Sequence, residues 1–296
     1  MTNKLASTVL LTTHGKENGY AIPAVNIFDD LSLRAAIKAA ERESSPIIIQ
    51  ASVKTARSIG VRMLTCMVQE AASRTTVPVA LHLDHCPDQQ MAHEVIAARW
   101  SSVLFDASDR DLATALKETR EVVNSAHAVG VEVEAEIESI VGVEDGVGSD
   151  VAGHAYTTRQ LADFVEQTNA DLLAPHVGTA HGVYKGRPNL LPERVAELVT
   201  MTNRPIVLHG GTGLTAAEFR SFIVAGVSKI NISTAVKEAY MRAAANHLSH
   251  AEKTQHWDPP SMFRDVSVAV EAAVAEYIDQ FGSKNRALEF HKDACS

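Results

Sequence analysis

The sequence predicts a (β/α)₈ TIM barrel, an α/β fold, from three observations. Eight short apolar runs alternate with amphipathic stretches along the 296 residues, and this alternation is typical of parallel strands joined by helices. The first run ends in AVNIFDD, without the glycine-rich turn that usually marks an open doubly wound sheet. No Pro/Ser-rich linker divides the chain. We therefore expect a single domain over residues 1–296, with the barrel at about 20–256 and a C-terminal helical extension at about 258–296.

The elements follow from β-branched runs and from the helical spacing of apolar residues. Strands are predicted at 20–26, 46–52, 77–84, 102–106, 131–137, 170–177, 205–209 and 228–232. Helices are predicted at 31–43, 61–74, 111–129, 158–168 and 216–225, with a further helix at about 264–281. Two longer irregular stretches, 138–156 and 178–192, follow the fifth and sixth strands. Loops of this length inside a domain are usually functional.

The composition excludes two classes of partner. A formal net charge of −9 argues against nucleic acid, because phosphate backbones select basic surfaces. No apolar run approaches the length of a membrane span. Three widely spaced cysteines without a CxxC pair indicate neither a disulfide framework nor a cysteine-built metal site. Since no signal-peptide pattern is present either, we expect a cytoplasmic enzyme.

Polar residues gather where the predicted strands end. In α/β barrels the active site forms at the carboxyl ends of the strands, so polar residues at successive ends predict one site. The residues at these ends are Asn26, Ser52, Asp84, His85, Asp106, Glu136, His181, His209, Asn231 and Thr234.

Three of these residues, His85, His181 and His209, follow the third, sixth and seventh strands. Neutral imidazoles are good zinc ligands, and three of them with an open position are typical of a catalytic site. Any one alone could be an ordinary hydrogen-bonded histidine. Together they predict one divalent metal ion, and the imidazole ligands favour zinc. His82 shares a strand face with Asp84 and could orient a ligand.

Glycine-rich segments flank two of the three histidines. HGGTG at 209–213 leads from the seventh strand into a helix, and HGVYK at 181–185 follows the sixth strand. Backbone amides freed by glycine near the last two strands of a barrel commonly bind phosphate, and NIST at 231–234 adds donors. These segments predict a phosphorylated ligand.

Five segments resemble the signature blocks of the class II ketose-bisphosphate aldolases, in the expected order. They read LHLDH, VEAEI, GTAHGVYK, VLHGGTG and KINIST, between residues 81 and 234. The chain length fits the shorter, tagatose-type branch best. The resemblance implies a TIM-barrel lyase that reversibly cleaves a phosphorylated ketose to dihydroxyacetone phosphate and an aldehyde. It also implies one catalytic zinc ion, with a second metal or a monovalent cation as an addition, and a homodimer or homotetramer.

The resemblance assigns the metal and the proton transfer to named residues. His85, His181 and His209 would bind the zinc, which would stabilise the enolate formed on cleavage. Asp84 would accept the proton of the C4 hydroxyl in cleavage and return it in synthesis. The alternative for Asp84 is an N-cap for the helix that follows Pro87.

Further positions match the family by residue type. Asp106 and Glu136 would orient the histidines or hold a second, displaced metal, unless they are ordinary polar residues of the barrel mouth. Glu144 would exchange the proton at C3, or is an exposed loop charge. Lys185 would bind phosphate, or is a solvated loop lysine. The residues that would contact the substrate are Asn26, Ser52, Gly182, Lys185, Gly210, Gly211, Thr212, Asn231 and Thr234.

Some positions depart from the family pattern. Glu138 and Val141 replace glycines after the fifth strand, so that loop is expected to fold differently. His176 replaces a small apolar residue and is either a polar contact to the aldehyde half of the substrate or a core histidine. Ser233 stands where some fructose-type enzymes carry an acidic residue, which makes fructose bisphosphate less favoured.

Three other functions remain open from the sequence. A metal-dependent hydrolase could use the same histidines for water activation. A Schiff-base aldolase could use Lys229 as its nucleophile. A non-catalytic phosphosugar-binding protein would need neither water activation nor a nucleophile. The intact histidines and Asp84 argue against this function.

Overall fold

Eight parallel strands close into a barrel in the computed structural model of the protein, which describes residues 5–139, 142–144, 147–149, 154–180, 182 and 188–293. Each barrel strand pairs with the strands before and after it in the chain, and the last pairs with the first. The barrel strands are β1 (Ile22–Asn26), β2 (Ile47–Ser52), β3 (Val79–Cys86), β4 (Ser102–Asp106), β5 (Glu132–Glu136), β8 (Leu172–Leu173), β9 (Ile206–Leu208) and β10 (Val227–Ile232). Two short strands, β6 (Gly142–Glu144) and β7 (Val147–Ser149), pair antiparallel outside the barrel.

Helices connect the strands and cover the barrel. Several begin at capping boxes, such as that of Asp29 with Ser32, which satisfy the free amides of the first turn. The helices are α1 (Thr8–Asn18), α2 (Asp30–Arg42), α3 (Val53–Ile59), α4 (Val61–Arg74), α5 (Gln89–Ala97), α6 (Leu112–His127), α7 (Thr158–Thr168), α8 (Pro192–Met201), α9 (Ala216–Ala225), α10 (Thr234–Thr254), α11 (Pro259–Gln280) and α12 (Ala287–Asp293).

The barrel prediction is confirmed, with local differences in the elements. The sixth barrel strand β8 is only two residues long, because Pro175 has no amide for the ladder. The third strand β3 extends to Cys86 through an irregular register after Leu83. Helix α1 and the β6–β7 hairpin lie where no regular element was expected, and the helices α3, α5, α8 and α10 follow barrel strands at positions for which no range was predicted.

The interior of the barrel is filled by side chains in layers, as is usual in this fold. Helix α1 lies across the amino-terminal end, where Thr8 Oγ1 and Ser102 Oγ share a hydrogen bond of 2.6 Å. The backbone amide of Val9 donates to Glu132 Oε2 at 3.0 Å. This end is therefore sealed, and the open end is the carboxyl end of the strands.

The C-terminal helices lie outside the barrel. Helix α11 packs against α10 and α2 and buries Val266, Val270, Val274 and Ile278. Among the described residues, no helix is both long enough and apolar enough to span a membrane. The cytoplasmic location stays a prediction.

Candidate active site

The carboxyl ends of five barrel strands, β3, β4, β5, β9 and β10, bring together six predicted residues, all of them buried. A register irregularity in β3 and a left-handed backbone at His85, with φ of 43°, turn its imidazole into the mouth of the barrel. A non-glycine residue in this region carries strain of about 1–3 kcal/mol, and such strain clusters at functional sites. The six residues are Asp84, His85, Asp106, Glu136, His209 and Asn231.

The imidazoles of His85 and His209 face each other at the centre of this group. His85 Nε2 and His209 Nδ1 are 2.9 Å apart, with the two rings edge to face. Ligand atoms of Asp84, His85 and His209 lie within 4.8 Å of one another, and the same holds for His85, Asp106 and Glu136. Two mixed nitrogen and oxygen donor sets thus share His85.

Neighbouring carboxylates determine which ring nitrogens carry protons. Glu134 Oε1 lies 2.9 Å from His209 Nε2, and Asp106 Oδ2 lies 3.3 Å from His85 Nδ1, so these nitrogens are the donors. Although burial opposes the charged form, the nearby carboxylates, Glu136 foremost, raise the pKa of His85 well above its ordinary value, so that a proton on His85 Nε2 can bridge to His209 Nδ1. A divalent cation can take the place of that proton. Two nitrogens on one tetrahedral zinc would be about 3.3 Å apart. The donor set therefore fits a divalent metal.

The Glu136 carboxylate also fits a nearby cation. Its Oε2 atom is buried and makes no hydrogen bond to any described residue, a situation that costs free energy. The atom lies 3.4 Å from His85 Nδ1 and 3.7 Å from His209 Nδ1. Burial, reinforced by the nearby Asp106 carboxylate, raises the pKa of Glu136 well above its ordinary value. A bound cation would relieve both effects.

Asp84 is held by two amides rather than by a helix. Asn26 Nδ2 donates to Asp84 Oδ2 at 2.9 Å, and Asn231 Nδ2 donates to Oδ1 at 3.0 Å. Burial alone would raise the pKa of Asp84, but the nearby cationic groups, His85 foremost, together with the hydrogen bond from Asn26 outweigh burial, so that the pKa lies below the ordinary value. The N-cap of α5 is Asp88, whose side chain accepts from Gln90. The alternative interpretation of Asp84 as a helix cap is therefore wrong.

A second polar layer lies deeper in the barrel. From sequence, His82 was predicted as a residue that could orient a ligand and Lys229 only as an alternative nucleophile, whereas Glu134 and Ser102 were not predicted. Lys229 Nζ donates to Glu134 Oε2 at 2.7 Å and to Asn231 Oδ1 at 2.9 Å, and both charged side chains are fully buried. His82 Nδ1 shares a hydrogen bond of 2.7 Å with Ser102 Oγ. Burial, with Lys229 adding to it, lowers the pKa of His82 well below its ordinary value. This layer supports His209 and Asn231 from below.

The sequence did contain a signal for this layer. In β5, Glu132, Glu134 and Glu136 alternate with apolar residues, so all three point to the same face. That face is the barrel interior. Glu132 contacts α1, Glu134 contacts His209, and Glu136 contacts His85.

We expect Lys229→Met to lower the free energy of unfolding by about 3–5 kcal/mol, because it leaves the Glu134 carboxylate buried without its ammonium partner. Urea-induced unfolding measures this change. The control is Lys38→Met, which removes an ammonium that is 69% exposed and paired with Glu271. Its expected effect is less than about 1 kcal/mol. Equal losses in the two variants would contradict the buried ion pair.

The predicted phosphate-binding segments lie around the same mouth. Thr212 and Thr234 are partly exposed, and Gly211 is buried against Phe219. Gly210 has a φ of 68°, and a Cβ atom on it would lie 2.5 Å from the carbonyl oxygen of Ala180. The residue after His209 thus packs against the residue before His181.

The remaining predicted residues are not among the six residues that meet at the centre of the barrel mouth. Ser52 ends β2, and its hydroxyl caps α3 by accepting from Thr55. Gly182 has a φ of 81° and open space around it. His181, Lys185 and the side chain of Glu144 lie outside the described residues, so their roles stay predictions.

Comparison with known proteins identifies the family. Residues 6–286 match the model of the family described as Fructose-bisphosphate aldolase class-II. A probable fructose-bisphosphate aldolase of Bacillus subtilis is 35% identical over 288 residues, which cover 96% of this chain and 99% of the relative. A fructose-bisphosphate aldolase of Staphylococcus aureus is 34% identical with the same coverage.

Solved structures agree with this assignment. A Coccidioides immitis protein assigned as a fructose-1,6-biphosphate aldolase superposes with a TM-score of 0.88 at 29% identity, over 98% of this chain and 99% of that one. The YdjI aldolase from Escherichia coli K12 gives a TM-score of 0.80 at 29% identity, over 96% and 99%. These matches confirm the resemblance of the five motifs and the prediction of an aldolase, which is a lyase. The chain belongs to the class-II fructose-bisphosphate aldolase family.

Proposed function

We propose that this aldolase reversibly cleaves a phosphorylated ketose to dihydroxyacetone phosphate and an aldehyde, with one divalent metal at His85, His181 and His209. The observation that carries the proposal is the buried group of Asp84, His85 and His209, whose ligand atoms lie within 4.8 Å of one another, with the two imidazole nitrogens 2.9 Å apart. A metal bound there would polarise the ketone oxygen and stabilise the charge of the enolate. Zinc suits the three imidazoles best.

The protein's own residues prepare the proton transfer. Asp84 would accept the proton of the C4 hydroxyl as the C3–C4 bond breaks. Because Asn26 and Asn231 each donate to one of its oxygens, the carboxylate has one orientation and still offers lone pairs on both oxygens. Asn231 would also contact the hydroxyketone. Asp106 and Glu136 would orient the imidazoles or hold a second, displaced cation, and Glu144 would exchange the proton at C3.

The phosphate would bind at the end of β10 and the adjacent glycine-rich turn. Ser233 is the N-cap of α10, yet its side chain does not cap the helix, and its buried Oγ has no hydrogen-bond partner among the described residues. The buried Thr179 Oγ1 likewise has no hydrogen-bond partner among the described residues. A helix N-terminus with unused donors is suited to an anion. Gly182, Lys185, Gly210, Gly211, Thr212 and Thr234 would provide further contacts.

The test is a cleavage screen in which a coupled dehydrogenase detects dihydroxyacetone phosphate. Fructose 1,6-bisphosphate is the first substrate to try, since the Bacillus and Staphylococcus relatives are named for it; tagatose 1,6-bisphosphate and ketose 1-phosphates follow. We expect dialysis against EDTA to remove at least about 99% of the activity, because without the metal the negative charge of the enolate is not stabilised. Addition of Zn²⁺ should restore the activity. Metal analysis gives the stoichiometry.

Two results would contradict this mechanism. Activity that survives EDTA, with borohydride trapping the substrate on Lys229, would favour a Schiff base. Release of inorganic phosphate or of another hydrolysis product in place of dihydroxyacetone phosphate would favour the hydrolase. The burial of Lys229 against Glu134 argues against the first result.

We also propose that residues 1–296 form one barrel domain with a C-terminal extension at about 258–296, and that copies associate into dimers or tetramers. Exposed apolar side chains on α10 and α11 support association: Met241 is 65% exposed, and Phe263 is 40% exposed. Light scattering of the purified protein measures the oligomeric state. A monomer at micromolar concentration would contradict it.

A further inference from the structure

An ion pair between a buried carboxylate and a guanidinium that is 17% exposed links the ends of two loops at the mouth of the barrel. Glu138, two residues after β5, is 1% exposed and faces Arg194 in the first turn of α8. Arg194 Nη2 donates to Glu138 Oε1 at 2.9 Å, and Nη1 donates to Oε2 at 3.0 Å. This fork-to-fork geometry is the strongest form of a carboxylate–guanidinium contact.

The same pair also holds two backbone segments. The amide of Tyr156 donates to Glu138 Oε1 at 2.9 Å, and its carbonyl accepts from Arg194 Nη2 at 2.6 Å. The amide of His176 donates to Glu138 Oε2 at 3.0 Å, and its carbonyl accepts from Arg194 Nη1. Glu138 and Tyr156 bound the first loop, whereas His176 and Arg194 bound the second. All four loop ends therefore meet at one ion pair.

Local stability does not explain this arrangement. A cation in the first turn of a helix is opposed by the helix dipole, so Arg194 does not serve α8 itself. A buried ion pair is seldom more stabilising than apolar residues of similar size. The second loop is already closed by the amide of Leu191, which donates to the carbonyl of Val177 at 2.9 Å. What the pair adds is a fixed link between the two loops.

We propose that Glu138 and Arg194 are positioning residues for aldol chemistry, because they join the ends of segments 138–156 and 176–194, in whose sequence Glu144 and His181 lie. The inference rests on the proposed function for the roles of those two residues. It ties two properties to one ion pair: retention of the metal and exchange of the C3 proton. Neither Glu138 nor Arg194 would touch the substrate.

The experiment compares Arg194→Met, Arg194→Lys and the double variant Glu138→Gln/Arg194→Met with wild type, all as metal-loaded enzymes. The double variant leaves no unpaired buried charge, so it should fold even if Arg194→Met does not. The control is Arg159→Met, which removes a 75% exposed side chain paired with Asp163. Three readouts are taken: amide hydrogen exchange at Tyr156 and His176, the half-time of metal loss to EDTA, and solvent deuterium incorporation into dihydroxyacetone phosphate.

We expect the double variant to exchange both amides at least 10-fold faster, to lose metal at least 10-fold faster and to incorporate deuterium with a kcat at least 10-fold lower. Arg194→Lys should recover part of each loss, and Arg159→Met should match wild type. Unchanged amide exchange would overturn the inference. So would faster amide exchange with metal loss, kcat and KM all within two-fold of wild type.

Failure of the proposed function gives a different pattern. Wild-type enzyme that holds metal but incorporates no deuterium would contradict the aldol assignment. In that case the amide exchange and the metal half-time still decide whether the ion pair positions the loops.

Discussion

The His209→Ala variant is expected to lose its metal and to cleave ketose phosphates at least about 10²–10³-fold more slowly, the range seen when a group that stabilises a developing oxyanion is removed. His209 contributes one of the two converging nitrogens, and its other nitrogen is held by Glu134. No other described side chain occupies the same position relative to His85. Metal analysis and the coupled cleavage assay measure the two effects.

The control for this variant is His247→Ala on α10. His247 also pairs with a carboxylate, since its Nδ1 lies 2.6 Å from Asp265 Oδ2, but it lies outside the barrel mouth. The His247→Ala variant should keep its metal and cleave ketose phosphates at the wild-type rate. A folded His209→Ala protein with one tightly bound metal and a normal kcat would rule out His209 as a ligand.

The Asp84→Asn variant is expected to keep its metal and to lose about 10²–10⁴-fold in kcat, the usual contribution of a positioned proton-transfer group. The shape of the side chain is nearly unchanged. An amide cannot accept the proton of the C4 hydroxyl, however, and its NH₂ group would face the donor of either Asn26 or Asn231. One of these amides must therefore turn. Steady-state kinetics and metal analysis give kcat, KM and occupancy.

The matched control is Asp88→Asn. Asp88 caps α5, and asparagine is an equally good N-cap, so kcat should stay within about two-fold. If Asp84→Asn kept more than a tenth of the wild-type kcat, the proton transfer would have to be assigned to another group.

Most of the barrel could be predicted because its strands are short runs of β-branched residues between helical segments. The predicted helix at 158–168 coincides with α7 (Thr158–Thr168). Helix α1 was missed because its buried positions include Thr8, Thr12 and Gly15, which give no apolar stripe. The short β8 was overestimated because the apolar run continues past the point where Pro175 ends the ladder.

The candidate site could be predicted where chemistry coincides with a strand end. Asp84, His85 and His209 stand out in the sequence for that reason. Contacts between residues distant in the chain could not be predicted in this way. Glu138 and Arg194 are 56 positions apart, and the parallel pairing of β5 with β8 brings the segments that bear them together. Lys229 drew attention as a nucleophile, although the structure shows it as the buried partner of Glu134.

The amino-terminal helix α1 is connected to the surroundings of His209, although it lies at the opposite end of the barrel. Thr8 bonds to Ser102, Ser102 bonds to His82, and His82 Nε2 lies 3.7 Å from Glu134, the carboxylate that orients His209. Hydrogen bonds thus run from α1 to His82, whose ring lies beside Glu134 without a hydrogen bond to it. Engineering that shortens the chain at its start or redesigns α1 for fusion to another protein would therefore alter the surroundings of a proposed metal ligand. Residues chosen for randomisation in directed evolution should include this helix.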